Sequence, residues 1–537
     1  MPKAHDPVRS PRPPHRRAFL GGLGGSLTLP MLLSPARLFA QDAAAPTAPE
    51  GEAFSFDILS EWMLAASKGE PKTPEQVGGF LAELDYDGYQ RIAFDRDRTR
   101  WADTGEGGFR VNAFHLGWLF KEPVHLHEVE DGKAHGMSFS TADFEYHGLE
   151  QEIPEDFDLP GVAGFRVLAP LNRADRHDEV AAFLGASYFR ALGRDTHYGL
   201  SARGLSVNTG QPDGEEFPVF TDFWLERPAP GSETVTIYAA LRSESLTGAY
   251  RFVLNPGETT TVDVTARLFF RSDIEQLGIA PLTSMFLFGG ADQGPFDDYR
   301  PAVHDSEALV VNMASGETFF RPLNNPPRLA GSYFSAENPV SFGLVQRERD
   351  FENYLDAQAR YETRPSLMIE PIGQWGRGIV RLMEIPSDLE GNDNIVAYWI
   401  PEKPARAGDQ LEISYRQHWG AAPQGDGSSQ HAHVVRTRAG KGGVSGVKDK
   451  TDTRKFVIDF EGGLLAELPA EGEVTPEVSA SRGEIVEKVL SRVPGTDVWR
   501  LVIEARGEAG ATVELKALLT GYGRVLTETW VYQWVKE

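Results

Sequence analysis

Apolar and polar positions alternate in short runs along most of this chain, and Gly, Pro, Asn and Asp separate the runs. The clearest runs are 108–114, 142–147, 164–168, 234–241, 259–270, 340–346 and 378–384. Period-two alternation bounded by turn residues predicts β-strands. Helical spacing is confined to a few places. It predicts helices over 54–67, over 77–84 behind the N-terminal signal Thr73-Pro74-Glu75-Gln76, over 177–184 and around 352–361. Pro401-Glu402-Lys403-Pro404 is the best internal boundary. Beyond it, runs at 410–419, 455–460, 473–481, 485–490, 498–505, 510–519 and 526–534 give about seven strands at the spacing of an immunoglobulin-like sandwich. The expected organisation is all-β, with an N-terminal β-sandwich over 52–400, a linker over 401–409 and a C-terminal sandwich over 410–537. The polar, Gly- and Lys-rich stretch 420–450 reads as a long insertion of the functional-loop kind.

The first 41 residues do not fit this pattern. A basic, Pro-rich start leads to Arg16-Arg17-Ala18-Phe19-Leu20, an apolar Gly-rich run to Leu33 and a cleavable segment ending near Ala40. This is the layout of a twin-arginine export signal, followed by a small-residue linker over 42–51. The expected location is therefore the periplasm, with no stable membrane insertion. The 537-residue chain carries a formal charge of −25 and no cysteine. Removing residues 1–41, with six Lys/Arg and one Asp, leaves about −30. Such a surface repels nucleic acid and anionic lipid but not a neutral polysaccharide.

The chain has no Gly-rich phosphate loop, nucleophile elbow or His-Glu-x-x-His. His125/His127 and His431/His433 could each chelate a metal from one strand face, but neither has a third ligand nearby in sequence. No cofactor is indicated. Carboxylates remain, and glycoside cleavage needs two of them, one to protonate the leaving oxygen and one across the ring. Two acid-bearing turns stand out. Tyr299–Glu307 sets Asp305 beside His304 behind the Gly/Asp-rich loop 289–298, and 384–399 sets Asp388, Glu390 and Asp393 ahead of an apolar strand. Asx side chains also cap turns, so residue type alone leaves both readings open.

Longer stretches carry a resemblance. They are Tyr86-Asp87-Gly88-Tyr89-Gln90-Arg91-Ile92, Phe114-His115-Leu116-Gly117, Phe183-Leu184-Gly185-Ala186-Ser187-Tyr188-Phe189-Arg190 and Tyr198-Gly199-Leu200-Ser201-Ala202-Arg203-Gly204-Leu205. Val303-His304-Asp305-Ser306, Arg321-Pro322-Leu323-Asn324-Asn325-Pro326, Gln346-Arg347-Glu348-Arg349-Asp350-Phe351 and Asn392-Asp393-Asn394-Ile395-Val396-Ala397-Tyr398-Trp399 follow in the same order. Together the chain resembles the osmoregulated periplasmic glucan biosynthesis family, the OpgG/OpgD (MdoG/MdoD) proteins, and the twin-arginine signal leans toward the D branch. The resemblance implies a galactose-mutarotase-like N-terminal sandwich, an immunoglobulin-like C-terminal one, and β-1,2-glucan as the partner, with a homodimer left open. It implies inverting endo-β-1,2-glucanase or transglycosylase activity, or glucan holding for backbone synthesis without cleavage. Asp393 matches the family's general acid and Asp305 its general base, with the proton and water relayed through a substrate hydroxyl and a water chain. A protonated His304 or Arg300 would keep Asp305 ionised, and Glu390 and Asp388 would raise Asp393. Tyr361, Arg364, Trp375, Arg203, Tyr299, Glu390 and His304 are the candidate glucan contacts, since aromatic faces stack on sugars and Arg forks bind hydroxyl pairs. Core packing or ion pairing would use the same residue types.

Overall fold

The computed structural model describes residues 51–536 apart from 73, 106, 424, 427–429, 444–445, 447–451 and 470. The expected export signal and residues 42–50 of the linker lie outside the described residues. No helix among the described residues is long and apolar enough to cross a membrane.

The chain is all-β. Two large sheets face each other across one core. The first runs in the order Ala330–Glu337, Arg377–Glu384, Ile395–Pro401, Leu277–Ser284, Ser201–Arg203, Tyr188–Ala191, Arg176–Leu184, Gly164–Arg173 and Arg110–Phe114. The second has Val219–Glu226, Val235–Arg242, Leu246–Asn255, Thr260–Phe270, Gln410–Gly420, Ser366–Ile372, Ser341–Val345, Ala308–Asn312 and Thr318–Pro322 at its centre. Alternation along each strand sends one set of side chains inward. Phe165, Phe183 and Phe189 of the first sheet meet Phe223 and Phe252 of the second, with ring centroids 4.9–5.3 Å apart. Each such ring contributes about 1.5–3 kcal/mol on burial.

Several expectations are corrected. The stretch 177–184 is the strand Arg176–Leu184, paired on both sides. Its run Val180–Leu184 is buried throughout, and a short apolar run does not distinguish helix from strand by period. Around 352–361 there are only two single turns, Phe351–Asn353 and Tyr361–Thr363, because Leu355 and Arg360 take left-handed backbone. The helix expected over 77–84 shrinks to Phe80–Glu83, since Gly79 at φ +60° cannot continue a helix from Val77. Over 54–67 the helix Phe56–Ser67 forms as expected, and the Ser55 hydroxyl accepts from the Ile58 N–H at 3.2 Å.

The strand Gln410–Gly420, placed by the sequence in the C-terminal unit, lies inside the larger one. It is hydrogen-bonded to Thr260–Phe270 on one side and Ser366–Ile372 on the other. The smaller unit has its first strand at His433–Lys441, within the stretch read as an insertion. Its sheet His433–Lys441, Thr453–Glu461, Trp499–Gly507, Gly483–Arg492 encloses a core with Thr529–Val535, Thr512–Gly521 and Val474–Ala480. These seven strands form two layers, and the two-residue strand Arg524–Val525 pairs alongside Thr512–Gly521. Ala308, Val310, Phe320, Val345 and Met368 of the larger unit belong to this second core. Arg347 adds an ionic tie across the junction, 2.8 Å from Glu528.

Candidate active site

In the first large sheet, Phe189, Ala191, Ala202, Ile395, Ala397 and Trp399 face the core. Alternation turns Tyr188, Arg190, Ser201, Arg203, Val396 and Tyr398 to the opposite face. There Arg190 Nε donates to Ser201 Oγ at 2.8 Å, and Arg203 Nε donates to Thr283 Oγ1 at 2.9 Å. The two acid-bearing turns meet at one end of this polar face.

Asp305 follows the short strand Val303–His304, which pairs with Phe286–Phe288, and its N–H donates to the Met285 carbonyl at 2.8 Å. Its carboxylate is buried, with Arg364 Nη1 at 3.5 Å. Burial pushes Asp305 up; the Arg364 and Arg190 charges pull it back and Glu390 adds to the rise. Asp393 is half-buried on the turn before Ile395–Pro401. Burial pushes its carboxyl up as well, Arg190 opposes this, Asp305 adds to it, and Arg203 opposes it again. Asp393 thus responds to Asp305, and both respond to Arg190. Asn394 holds the turn in place: its Oδ1 accepts from the Phe286 N–H at 2.8 Å, while Nδ2 donates to the carbonyls of Phe286 at 2.9 Å and Ile385 at 3.0 Å.

Next to Asp305 a rail of side chains continues. The Arg364 guanidinium lies over the Tyr361 ring at 5.1 Å, and the Tyr361 hydroxyl donates to Glu390 Oε1 at 2.5 Å. Glu390 Oε2 accepts from Arg300 at 2.9 Å, and Arg300 is also paired with Asp298 at 2.7 Å and Asp356 at 2.9 Å. Arg203 pairs with Glu215 at 2.7 Å and faces the Tyr188 ring at 4.7 Å. Of the residues singled out in the sequence, Asp305, Asp393, Tyr361, Arg364, Glu390 and Arg203 therefore share one region. Tyr299, 74% exposed, sits beside Arg300 at its rim.

Two candidates are placed differently. His304 is buried, stacked on Phe286 at 5.3 Å, with Nδ1 2.9 Å from Gln346 Oε1. Burial lowers its pKa to about 4, so it is neutral at pH 7 and lends Asp305 no charge; the cations that oppose the rise at Asp305 are Arg364 and Arg190. Trp375 packs against Trp399 and Tyr415, and its indole N–H donates to the Ser414 carbonyl at 3.1 Å. Trp399 faces the interior and lies six residues beyond Asp393, about 20 Å along the strand. Trp375 is thus away from the aspartates, on the other face of the sheet. Glu390 acts on Asp305 rather than on Asp393, and Asp388 is exposed.

Arg190 and Asn394 were not singled out in the sequence. The signal for Arg190 was a cation alternating with buried apolar residues in Tyr188–Ala191. The paired imidazoles do not converge on a metal. His127 stacks on Trp224 at 5.1 Å, His433 lies 3.1 Å from Glu528, and no group of three metal-ligating side chains occurs among the described residues.

A family model described as periplasmic glucan biosynthesis protein, MdoG, matches residues 54–534. A protein of Cereibacter sphaeroides named glucans biosynthesis protein G is 55% identical, over 95% of this chain and 94% of its own length. A protein of the same name from Rhodopseudomonas palustris strain BisA53 is 42% identical over 97% of this chain and 99% of its own. A Shewanella oneidensis protein named probable glucans biosynthesis protein D is 41% identical over 97% and 96%. Relatives under both names align over nearly the whole chain, so these names do not separate the two branches. The chain belongs to the periplasmic glucan biosynthesis family, MdoG.

Proposed function

We propose that this protein cuts or rearranges β-1,2-linked glucan in the periplasm with inversion, Asp393 acting as general acid and Asp305 as general base. The supporting observation is that two aspartates 88 positions apart in sequence, Asp305 buried and Asp393 half-buried, both lie within reach of the Arg190 charge. Asp393 is raised by burial and by the Asp305 charge, against Arg190 and Arg203, and that direction suits a proton donor. Asp305 has Arg364 at 3.5 Å. That charge and the Arg190 charge oppose the rise that burial causes and so favour the ionised form a general base needs.

In the reaction the glycosidic C–O bond breaks and the Asp393 proton goes to the leaving oxygen. A water oxygen bonds to the anomeric carbon from the opposite side and its proton goes to Asp305. A sugar hydroxyl in place of water gives transglycosylation. Arg364 and Arg203 supply guanidinium donors beside the aspartates, with Tyr361 buried beneath Arg364 as its support. Asp393→Asn and Asp305→Asn, each expected to fold, should each lower turnover of linear β-1,2-glucan by about 10²–10⁴-fold. Unchanged turnover in both would refute the assignment.

The relatives' names speak of biosynthesis rather than cleavage, which favours a second reading in which the same polar face holds nascent glucan uncut. Chain-length analysis of linear glucan incubated with the purified protein separates the two, since holding alone leaves the length distribution unchanged. Export is proposed through the twin-arginine route. Replacing Arg16 and Arg17 by Lys should leave the protein in the cytoplasm, and normal export of that variant would exclude the route.

A further inference from the structure

The buried strand Ser341–Val345 runs on into Gln346-Arg347-Glu348-Arg349, and this polar segment binds the residues on either side of Asp305. Gln346 Oε1 lies 2.9 Å from His304 Nδ1, and Gln346 Nε2 donates to the carbonyls of His304 at 3.3 Å and Tyr361 at 3.1 Å. The Glu307 N–H donates to the Val345 carbonyl at 2.8 Å, and Glu307 Oε1 accepts from the Arg347 N–H at 2.6 Å. Arg349 donates to the carbonyl of Glu362 at 3.1 Å and to that of Arg364. The same short segment therefore grips the chain before and after Asp305 and the backbone of Arg364, the cation 3.5 Å from it.

The Arg347 side chain leaves the larger unit. Its guanidinium donates to both Glu528 carboxylate oxygens at 2.8 Å and to the Val434 carbonyl at 3.0 Å, and it lies over the Phe320 ring at 4.7 Å. Its Nε donates to Asp426 at 3.1 Å. Glu528 stands just before the strand Thr529–Val535, and Val434 is on His433–Lys441, both of the smaller unit. Two parallel bonds to one carboxylate fix a guanidinium in angle as well as distance. The side chains are 11% and 0% exposed, so solvent screens the pair little. Glu528 is itself held, accepting from the Val434 N–H at 2.8 Å beside His433 at 3.1 Å. Burial pushes its carboxyl up, but the Arg347 charge and hydrogen bonds, with His433, hold it at about 2, so it stays ionised. The next residue of the segment, Glu348, pairs with Arg436 of the same strand at 3.0 Å. We infer that Glu528 is a positioning residue: through Arg347, the smaller unit holds the segment that sets Asp305 and Arg364 against each other. This rests on the proposed role of Asp305 as general base, and it gives the smaller unit a part in the reaction that needs no contact with glucan. Arg364 and Arg190 favour ionised Asp305, Glu390 disfavours it, and Asp305 in turn raises Asp393. Of these charges, Arg364 is the one whose backbone the segment holds, so a loosened segment leaves Asp305 higher and its reach to the acceptor less exact.

The test measures kcat, KM and the pH profile of the full chain on linear β-1,2-glucan. Glu528→Gln keeps the shape of the side chain and removes its charge. It should lower kcat about 10–100-fold, leave KM within about twofold, and move the acid limb of the profile to higher pH. Arg347→Met should do the same, and the double variant should lose little more than the worse single one, since both break one tie. Arg347→Lys keeps the charge and part of the contact and should restore part of kcat. Should Arg347→Met fail to fold, Glu528→Gln alone decides. A merely structural role would lower the melting temperature and the active fraction without moving the acid limb. An unmoved acid limb in folded Glu528→Gln, whatever its kcat, therefore overturns the inference, while turnover by the wild-type chain leaves the glucan reading intact. No turnover by the wild-type chain overturns both.

Discussion

The Asn394 side chain grips the backbone of Phe286 from both sides, accepting from its N–H and donating to its carbonyl. Phe286 is in turn the residue paired with His304, directly before Asp305. The spacing between the two aspartates is thus set by one amide. Asn394→Ala removes three hydrogen bonds in a buried place. It is expected to cost about 1–3 kcal/mol of stability and to lower kcat more than it raises KM. Thermal unfolding and steady-state kinetics on linear glucan check this; unchanged kcat in a folded variant would show that the grip does not set the reacting geometry.

The two carboxyls predict the shape of the pH profile. Asp305 must be ionised and Asp393 protonated, and both are raised from the ordinary aspartate range. The rate should fall as pH drops through the Asp305 value and fall again as pH rises through the Asp393 value, giving a bell whose limbs report the coupled pair. Arg190→Met removes the cation that opposes both rises, so both limbs should move to higher pH and activity drop. Arg190→Lys should restore part of the original profile. An unshifted profile in Arg190→Met would remove Arg190 from the account.

Glu307, two residues beyond Asp305, is pushed up to about 7 by burial, against the Arg347 backbone N–H that it accepts at 2.6 Å. A carboxyl with a higher pKa folded than unfolded makes the native state bind more protons, so stability declines as pH rises from its unfolded value of about 4.5 toward 7. Glu307→Gln keeps an acceptor and removes the titration. It should flatten that decline, by up to about 1.4 kcal/mol per pH unit, in denaturant melts recorded across the window.

Arg321 and Glu384 form an ion pair at 2.8 Å with exposures of 1% and 0%. Glu384 also accepts from the Asn324 N–H at 2.7 Å, and it ends the strand that leads into the Asp393 turn. Arg321→Met strands a buried carboxylate and should cost about 3–5 kcal/mol, while Arg321→Met with Glu384→Leu should recover much of it. Chemical denaturation of both variants tests this. Equal losses would mean that the pair's hydrogen bonds, not its charges, dominate.

The β-character of the chain and most of the aspartate cluster were legible because both are local. Alternation survives in strands such as Thr260–Phe270, and the acids sit in recognisable turns. Arg190 was missed because its meaning depends on sheet register, which brings Tyr188–Ala191 alongside Ser201–Arg203 and, through Leu277–Ser284, toward Ile395. His304 misled because its neighbour in sequence is not its neighbour in space: the ring belongs to Phe286, Tyr354 and Gln346. Trp375 misled because an aromatic residue reads the same whether it faces a trough or braces an interior. The boundary near 401 was misplaced because a Pro-flanked turn ends one strand without ending a domain. Gln410–Gly420 returns into the middle of the sheet that the chain had just left.

That return leaves no clean seam for a protease or a splitting experiment. A polypeptide stopped at 409 would carry two raw sheet edges, along Thr260–Phe270 and Ser366–Ile372, each inviting aggregation. The partition that sequence suggests would part a strand from both its neighbours, and a fragment that presents both aspartates on an unbroken sheet must run to Gly420.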